Sequence, residues 1–247
     1  LLTKVLYGED HVYSGRSILE REIMIRSINR KDLIDFHELW IRPDNAKIYV
    51  VGDTTLKEIT GELNNYFGDW LLPSRSKGIK TLTDASYLDK SHIILVDRPK
   101  AAQSIILAAH LVTPSTDKNA FNVDAMNDIL GGNFTSRINM NLREDKGWSY
   151  GASSSIGQAI RQRSFRVSTS VQTDKTALAM NEIVKEILDY QSNRPPSSEE
   201  LNLMIKGNTL PLPGRFSTNR SLMSYIMSNE NFGRPYNYAQ TLYNKYA

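Results

Sequence analysis

No cysteine occurs among the 247 residues. Disulfides, Cys-ligated zinc and thiol catalysis are thereby excluded, and the lack fits a reducing cytosol and a bacterial periplasm equally. Long apolar runs are missing too. The longest, Ile93-Ile94-Leu95-Val96 and Ile105 to Val112, have strand length, against the roughly 18 to 20 residues of a membrane span. No signal peptide is visible, and the chain opens at Leu1 without an initiator Met, so it reads as a piece of a longer precursor. Nor does one sign of charge dominate: 30 basic and 27 acidic residues leave +3. Lys and Arg are scattered among Asp and Glu, so nucleic-acid binding has little support.

Histidine is scarce. Of the four, His11, His37, His92 and His110, no two stand at i,i+4, and neither H-x-x-E-H nor H-E-x-x-H occurs. His37-Glu38 is followed by Ile41 and Arg42 rather than by a second His. His92 and His110 fall on adjoining expected strands, where some hairpin registers place them on one face. One reading makes them the core of a free-standing hydrolase; the other makes them strand histidines at a sheet edge. No G-x-S-x-G is present, and Glu199-Glu200 has the pattern of a solvated helix start. Nothing in the chain performs catalysis unaided, and no metal ligand set is assigned.

What is present is a globular pattern, 40% hydrophobic and 23% charged. From Asn29 to Ile41, Leu33, Phe36, Leu39 and Trp40 recur at helical spacing, and Pro43-Asp44-Asn45 breaks the helix. Ala46 to Val51 is expected as a strand. Thr54 or Thr55 caps a further helix with Ile59, Leu63, Tyr66 and Phe67 as its buried stripe. A second unit is expected to open on a hairpin, Ser91 to Asp97 and Gln103 to Val112. A helix from about Asp117 to Leu130 follows, ended by Gly131-Gly132. Asn133, Thr135 or Ser136 caps the next helix, with Phe134, Ile138 and Leu142 on one face. Strands Trp148 to Ile156 and Ser164 to Val171 come next, then a helix from Asp174 to Tyr190. Ser197 with Glu200 forms a capping box, and helical stretches run to the end. Hairpins segregated from helices indicate an α+β fold, a largely antiparallel mixed sheet with helices packed on one face. The linear partition is 1–72 as the C-terminal part of a first domain, 73–90 as a linker, and 91–247 as a second domain incomplete at its C-terminal end.

Two segments have patterns suited to a ligand. In Leu142-Arg143-Glu144-Asp145-Lys146-Gly147-Trp148-Ser149-Tyr150-Gly151, Arg143 falls in a helix's last turn, Gly147 releases the chain, and Tyr150 is third in the next strand. A guanidinium and a phenol brought to one side of the sheet's rim can donate hydrogen bonds to peptide carbonyls or to an oxyanion. The plainer alternative is a helix-end cation offsetting the macrodipole and a strand Tyr that packs. Gly131-Gly132-Asn133 is either a lip that lets a substrate backbone approach closely or a helix C-cap followed by an N-cap.

Taken together, Leu130 to Arg137 followed by Asn141 to Gly151 resemble the signature of the second domain in each half of pitrilysin/insulinase-type zinc metallopeptidases, the inverzincins. Asp97 to Ser104 resembles that domain's opening hairpin. Arg42-Pro43-Asp44-Asn45 through Val51-Gly52-Asp53, and Tyr66-Phe67-Gly68-Asp69-Trp70, resemble the closing strand and helix of the preceding domain. Tyr7 to Tyr13 resembles a turn usually written with Pro where Val12 stands. In that family two halves close around an unfolded peptide. One half carries H-x-x-E-H and a distant Glu, and the other supplies an Arg and a Tyr seven residues apart, the spacing of Arg143 and Tyr150.

The resemblance thus implies a zinc-less, non-catalytic, substrate-positioning portion. Arg143, Tyr150, Gly131, Gly132 and Asn133 would face the peptide, and zinc would sit in a catalytic half, fused or separate. A bacterial periplasm or cell envelope is the implied location. The alternative it leaves is an inactive structural or binding subunit of a peptidase-like complex. The zinc motif normally lies upstream of the segment at which this chain opens. The family's closing strand and helix have no clear counterpart after Tyr225.

Overall fold

The computed structural model describes residues 1–246. Its helices are α1 (Leu2–Tyr7), α2 (Ile18–Ser27), α3 (Arg30–Trp40), α4 (Leu56–Phe67) and α5 (Ala120–Asn127), then α6 (Arg137–Asn139), α7 (Thr176–Gln191), α8 (Ser198–Thr209), α9 (Asn219–Asn231) and α10 (Tyr238–Tyr246). The strands are β1 (Gln103–Val112), β2 (Ser149–Ile156) and β3 (Arg163–Gln172). The fold is α+β. Two compact units form, both discontinuous in sequence. One joins Leu1–Gly15, Thr83–Leu212 and the segment from Asn237 on; the other joins Arg16–Leu82 with Pro213–Tyr236.

In the first unit the three strands are antiparallel in the order β1-β3-β2. β3 is central, and its alternation buries Val167, Thr169 and Val171 while Ser168 and Gln172 face out. Val167 and Val171 meet Ile106 of β1, Ile138 of α6, Leu142 just beyond it, and Ala179 and Ile183 of α7 in one core. Each fully buried Ile or Leu contributes about 1.5–3 kcal/mol. At the start of β3 the Arg163 side chain is wholly enclosed. Its Nε donates to the Thr113 carbonyl at 2.8 Å, and Nη1 pairs with Asp124 at 2.6 Å. The N-terminal turn is anchored beside it: the Tyr7 hydroxyl donates to the Gln162 carbonyl at 3.1 Å, and its ring stacks on His11. Burial raises the Tyr7 pKa.

The second unit is helical. Capping boxes start α2 (Ser17 with Glu20), α3 (Asn29 with Asp32), α4 (Thr55 with Glu58) and α9 (Thr218 with Ser221). Arg42, buried, ties the loop after α3 by donating to the carbonyls of Glu38 and Arg75 and pairing with Asp44.

Three expectations fail here. Ala46 to Val51 and Ser91 to Asp97 form no strand, and the apolar side chains of 93–96 stand exposed, Leu95 at 89%. A strand is stabilised by a neighbour's backbone, and among the described residues neither segment has one. The expected stripe on α4 is not buried: Tyr66 and Phe67 are exposed. The caps specify the helix locally, whereas burial of its face depends on a partner.

Candidate functional site

The candidate residues lie where the first unit's helices turn over the edge strand β2. After α5 the helix widens into a π-helical turn, Asp128–Gly132. Gly131 is buried against β2. A Cβ there would stand 2.3 Å from Ser154 Oγ and 2.7 Å from Ser154 N, so only glycine fits. Next to it, Ser154 Oγ donates to Asn127 Oδ1 at 2.7 Å. The absent side chain at Gly131 thus serves helix–strand packing, while Gly132 and Asn133 face solvent. Asn133 is extended, and its amide donates to the Asp128 carbonyl at 2.8 Å, closing the turn.

Ser136 occupies the N-cap position of α6, but its hydroxyl bonds back to the Asn133 carbonyl at 2.6 Å instead of capping the helix. Phe134, expected on the buried face with Ile138 and Leu142, is 60% exposed. It precedes the helix, so the helical phase does not reach it.

Arg137 is the anchor of α6. Its guanidinium grips Glu200 bidentately, at 2.6 and 2.7 Å, donates to the carbonyls of Arg194 and Pro195, and lies over the Tyr190 ring. That bond holds the Glu200 carboxyl down to about 2, and the capping bond from Ser197 N adds to the effect. A second polar link joins the next turn to α7: the Asn141 amide donates to Glu182 at 2.8 Å and to Glu186 at 2.7 Å, and Glu186 also pairs with Arg194.

Arg143 sits in a second π-helical turn, Met140–Asp145. The fully buried Leu142 pins this turn to the core. The Arg143 guanidinium lies 4.6 Å over the Phe134 ring, and its Nε is 3.4 Å from Glu144 Oε1. Gly147 takes φ 64° and releases the chain into β2. There the register slips: Ser149 faces Val171 and Ala152 faces Thr169, so β2 carries one residue more than β3 across that span. This bulge is braced by Ser149 Oγ, which accepts from Gly151 N at 3.1 Å and bonds Thr169 Oγ1 at 2.8 Å. Tyr150 projects from it, 92% exposed.

The expected residues therefore fall on one short stretch of the unit, two turns and a bulge. Sequence reasoning gave no role to Arg137, although it lies inside the signature, nor to Asn139, which falls between its two segments. The Ser197–Glu200 box was a partial signal, since the same carboxylate serves both the cap and Arg137.

The donor set does not fit a zinc ion. Among the described residues no three His, Cys, Asp or Glu side chains converge as ligands. His92 is exposed in the unpaired 91–97 segment, and His110 stands beside Tyr87, ring centroids 6.0 Å apart. No helix among the described residues is long and apolar enough to cross a membrane.

A family model described as "Peptidase M16 inactive domain" matches residues 27–208. The chain is 25% identical over 154 residues to the uncharacterized zinc protease YmxG of Bacillus subtilis, covering 61% of this chain and 34% of that protein. It superimposes on a peptidase M16 inactive domain from Pseudomonas fluorescens with a TM-score of 0.84 at 20% identity, covering 99% of this chain and 56% of that one. The first half of the periplasmic protease PqqL from Escherichia coli aligns with a TM-score of 0.66 at 18% identity, over 91% of this chain and 49% of that one. The chain thus spans about a third of the curated relative and about half of these solved chains. The signature quoted from its sequence, the α+β fold that carries it and the family match over most of its length agree: the chain belongs to the peptidase M16 inactive-domain family, and so to the insulinase-type zinc proteases as a non-catalytic portion.

Proposed function

We propose that this chain holds an extended peptide for a zinc-dependent endopeptidase, with Arg143 and Tyr150 as its polar grip. The observation that carries the reading is the bulge at Ser149–Ala152. It turns Tyr150 out of the sheet with its hydroxyl free for a ligand, one loop beyond a guanidinium that is seated and half-exposed. A guanidinium and a phenol both carry hydrogen-bond donors, and a peptide backbone offers carbonyl acceptors at regular spacing. Gly132 and Asn133, exposed at the neighbouring turn, let that backbone approach.

In this reading the H-x-x-E-H motif, its zinc and the water it activates belong to a catalytic half, fused or separate. This chain's residues bind and orient the peptide. Apolar side chains exposed on α2 and α3, among them Ile18, Ile25, Leu33 and Phe36, support the presence of a covering partner. PqqL is described as a periplasmic protease with a first half, which favours a two-half assembly in the bacterial periplasm or envelope for this chain as well.

The test is reconstitution with the catalytic half. Arg143→Ala with Tyr150→Phe should lower peptide cleavage while the assembly stays intact. The second reading, an inactive structural or binding subunit, draws on the local partners of Arg143, namely Phe134 and Glu144. Normal cleavage by the doubly substituted complex would select it.

A further inference from the structure

We propose that Asn139 is the positioning residue of the Arg143–Tyr150 pair, fixing the separation of the two groups through one buried amide. The inference rests on the peptide-holding reading. Asn139 closes α6 and is 4% exposed. Its Nδ2 donates to the Phe134 carbonyl at 2.6 Å, and its Oδ1 accepts from Ala152 N at 3.1 Å. A backbone carbonyl only accepts and a backbone N–H only donates, so the two partners fix which way the amide points.

Each partner belongs to one arm of the grip. Phe134 is the residue whose ring lies beneath Arg143, and an exposed phenyl with a guanidinium 4.6 Å above it gains its contact from that cation. Ala152 is where β2 regains register with β3 after the bulge that carries Tyr150, so anchoring its N–H fixes the far end of that bulge. One amide thus ties the seat of the guanidinium to the base of the phenol. Without it each group samples its own positions, and binding a peptide bears the entropy of ordering both. A buried Asn that merely satisfies two backbone groups would stabilise the unit without coupling to the grip.

The experiment measures binding of the full chain to fluorescein-labelled β-casein, an unfolded polypeptide, by anisotropy. Asn139→Asp keeps an acceptor for Ala152 and removes the donor to Phe134. Phe134→Leu, at an exposed position, removes the ring and leaves the buried bonds in place, so it serves should the first variant fail to fold. Each is expected to weaken binding about fivefold. In the Arg143→Ala, Tyr150→Phe background the same substitutions are expected to change nothing further, because the groups they position are gone. The same loss in both backgrounds, or no loss in the parent chain, overturns the inference while leaving the peptide-holding reading standing. If the Arg143→Ala, Tyr150→Phe chain binds as tightly as the parent, or the parent does not bind, the reading itself fails and the inference falls with it.

Discussion

Glu200 Oε2 accepts two bonds at once, from Arg137 Nη2 at 2.7 Å and from its own capping partner Ser197 N at 2.8 Å. The start of α8 is therefore built into the same carboxylate that anchors α6. Its pKa is held at about 2, below the ordinary 4.5. The folded value is depressed, so the stabilisation is fully present above pH 4.5 and is lost as pH falls from there through 2. With allowance for partial exposure the loss is on the order of 2 kcal/mol. Urea titrations between those pH values should show it, and Glu200→Gln should flatten that part of the profile.

Gly131→Ala places a methyl against Ser154 Oγ and Ser154 N. A destabilisation of about 1–3 kcal/mol is expected from overpacking. Adding Ser154→Ala should restore only part of it, because the backbone nitrogen stays 2.7 Å from the new Cβ. Thermal unfolding of both variants checks the order.

Arg163 and Asp124 form a lopsided pair, the arginine side chain enclosed and the carboxylate 39% exposed. Asp124→Ala leaves the buried cation with backbone carbonyls alone and should cost about 3–5 kcal/mol. Combining it with Arg163→Met removes the uncompensated charge, and the double variant is expected to be more stable than Asp124→Ala in chemical denaturation.

Elements specified by neighbours in sequence were legible from sequence. The box of Ser197 with Glu200, the cap at one of Thr54 and Thr55 (it is Thr55) and the break at Gly147 each depend on residues within a few positions, and each stands where the pattern allows it. Strand β3 was legible from its alternation and β1 from its apolar run. What failed depended on distant partners. The segments 46–51 and 91–97 have strand composition, but pairing is a property of two segments, and among the described residues neither has its second. Within the candidate site, Arg143 and Tyr150 were singled out by a family spacing, and their part in holding a peptide stays a proposal. The π-helical turns, the bulge and Asn139 were not legible, because an extra residue in a strand and an amide joining residues at positions 134 and 152 leave no periodic trace.

Ser149→Ala removes the hydroxyl that accepts from Gly151 N and bonds Thr169. The bulge should become mobile rather than vanish. Faster amide hydrogen exchange at Gly151 is expected, with a loss in global stability of about 1 kcal/mol or less.

In the proposed function Arg143 and Tyr150 grip peptide without being needed for the fold. The most direct measurement is kcat/KM for peptide cleavage by the complex of this chain with its catalytic half, parent against Arg143→Ala, Tyr150→Phe. Both side chains are at least partly exposed, so unfolding stability should shift by about 0.5 kcal/mol or less for each. Cleavage should fall by about 10²-fold, the scale on which removal of fixed donors acts. Undiminished kcat/KM in an intact complex would contradict the account.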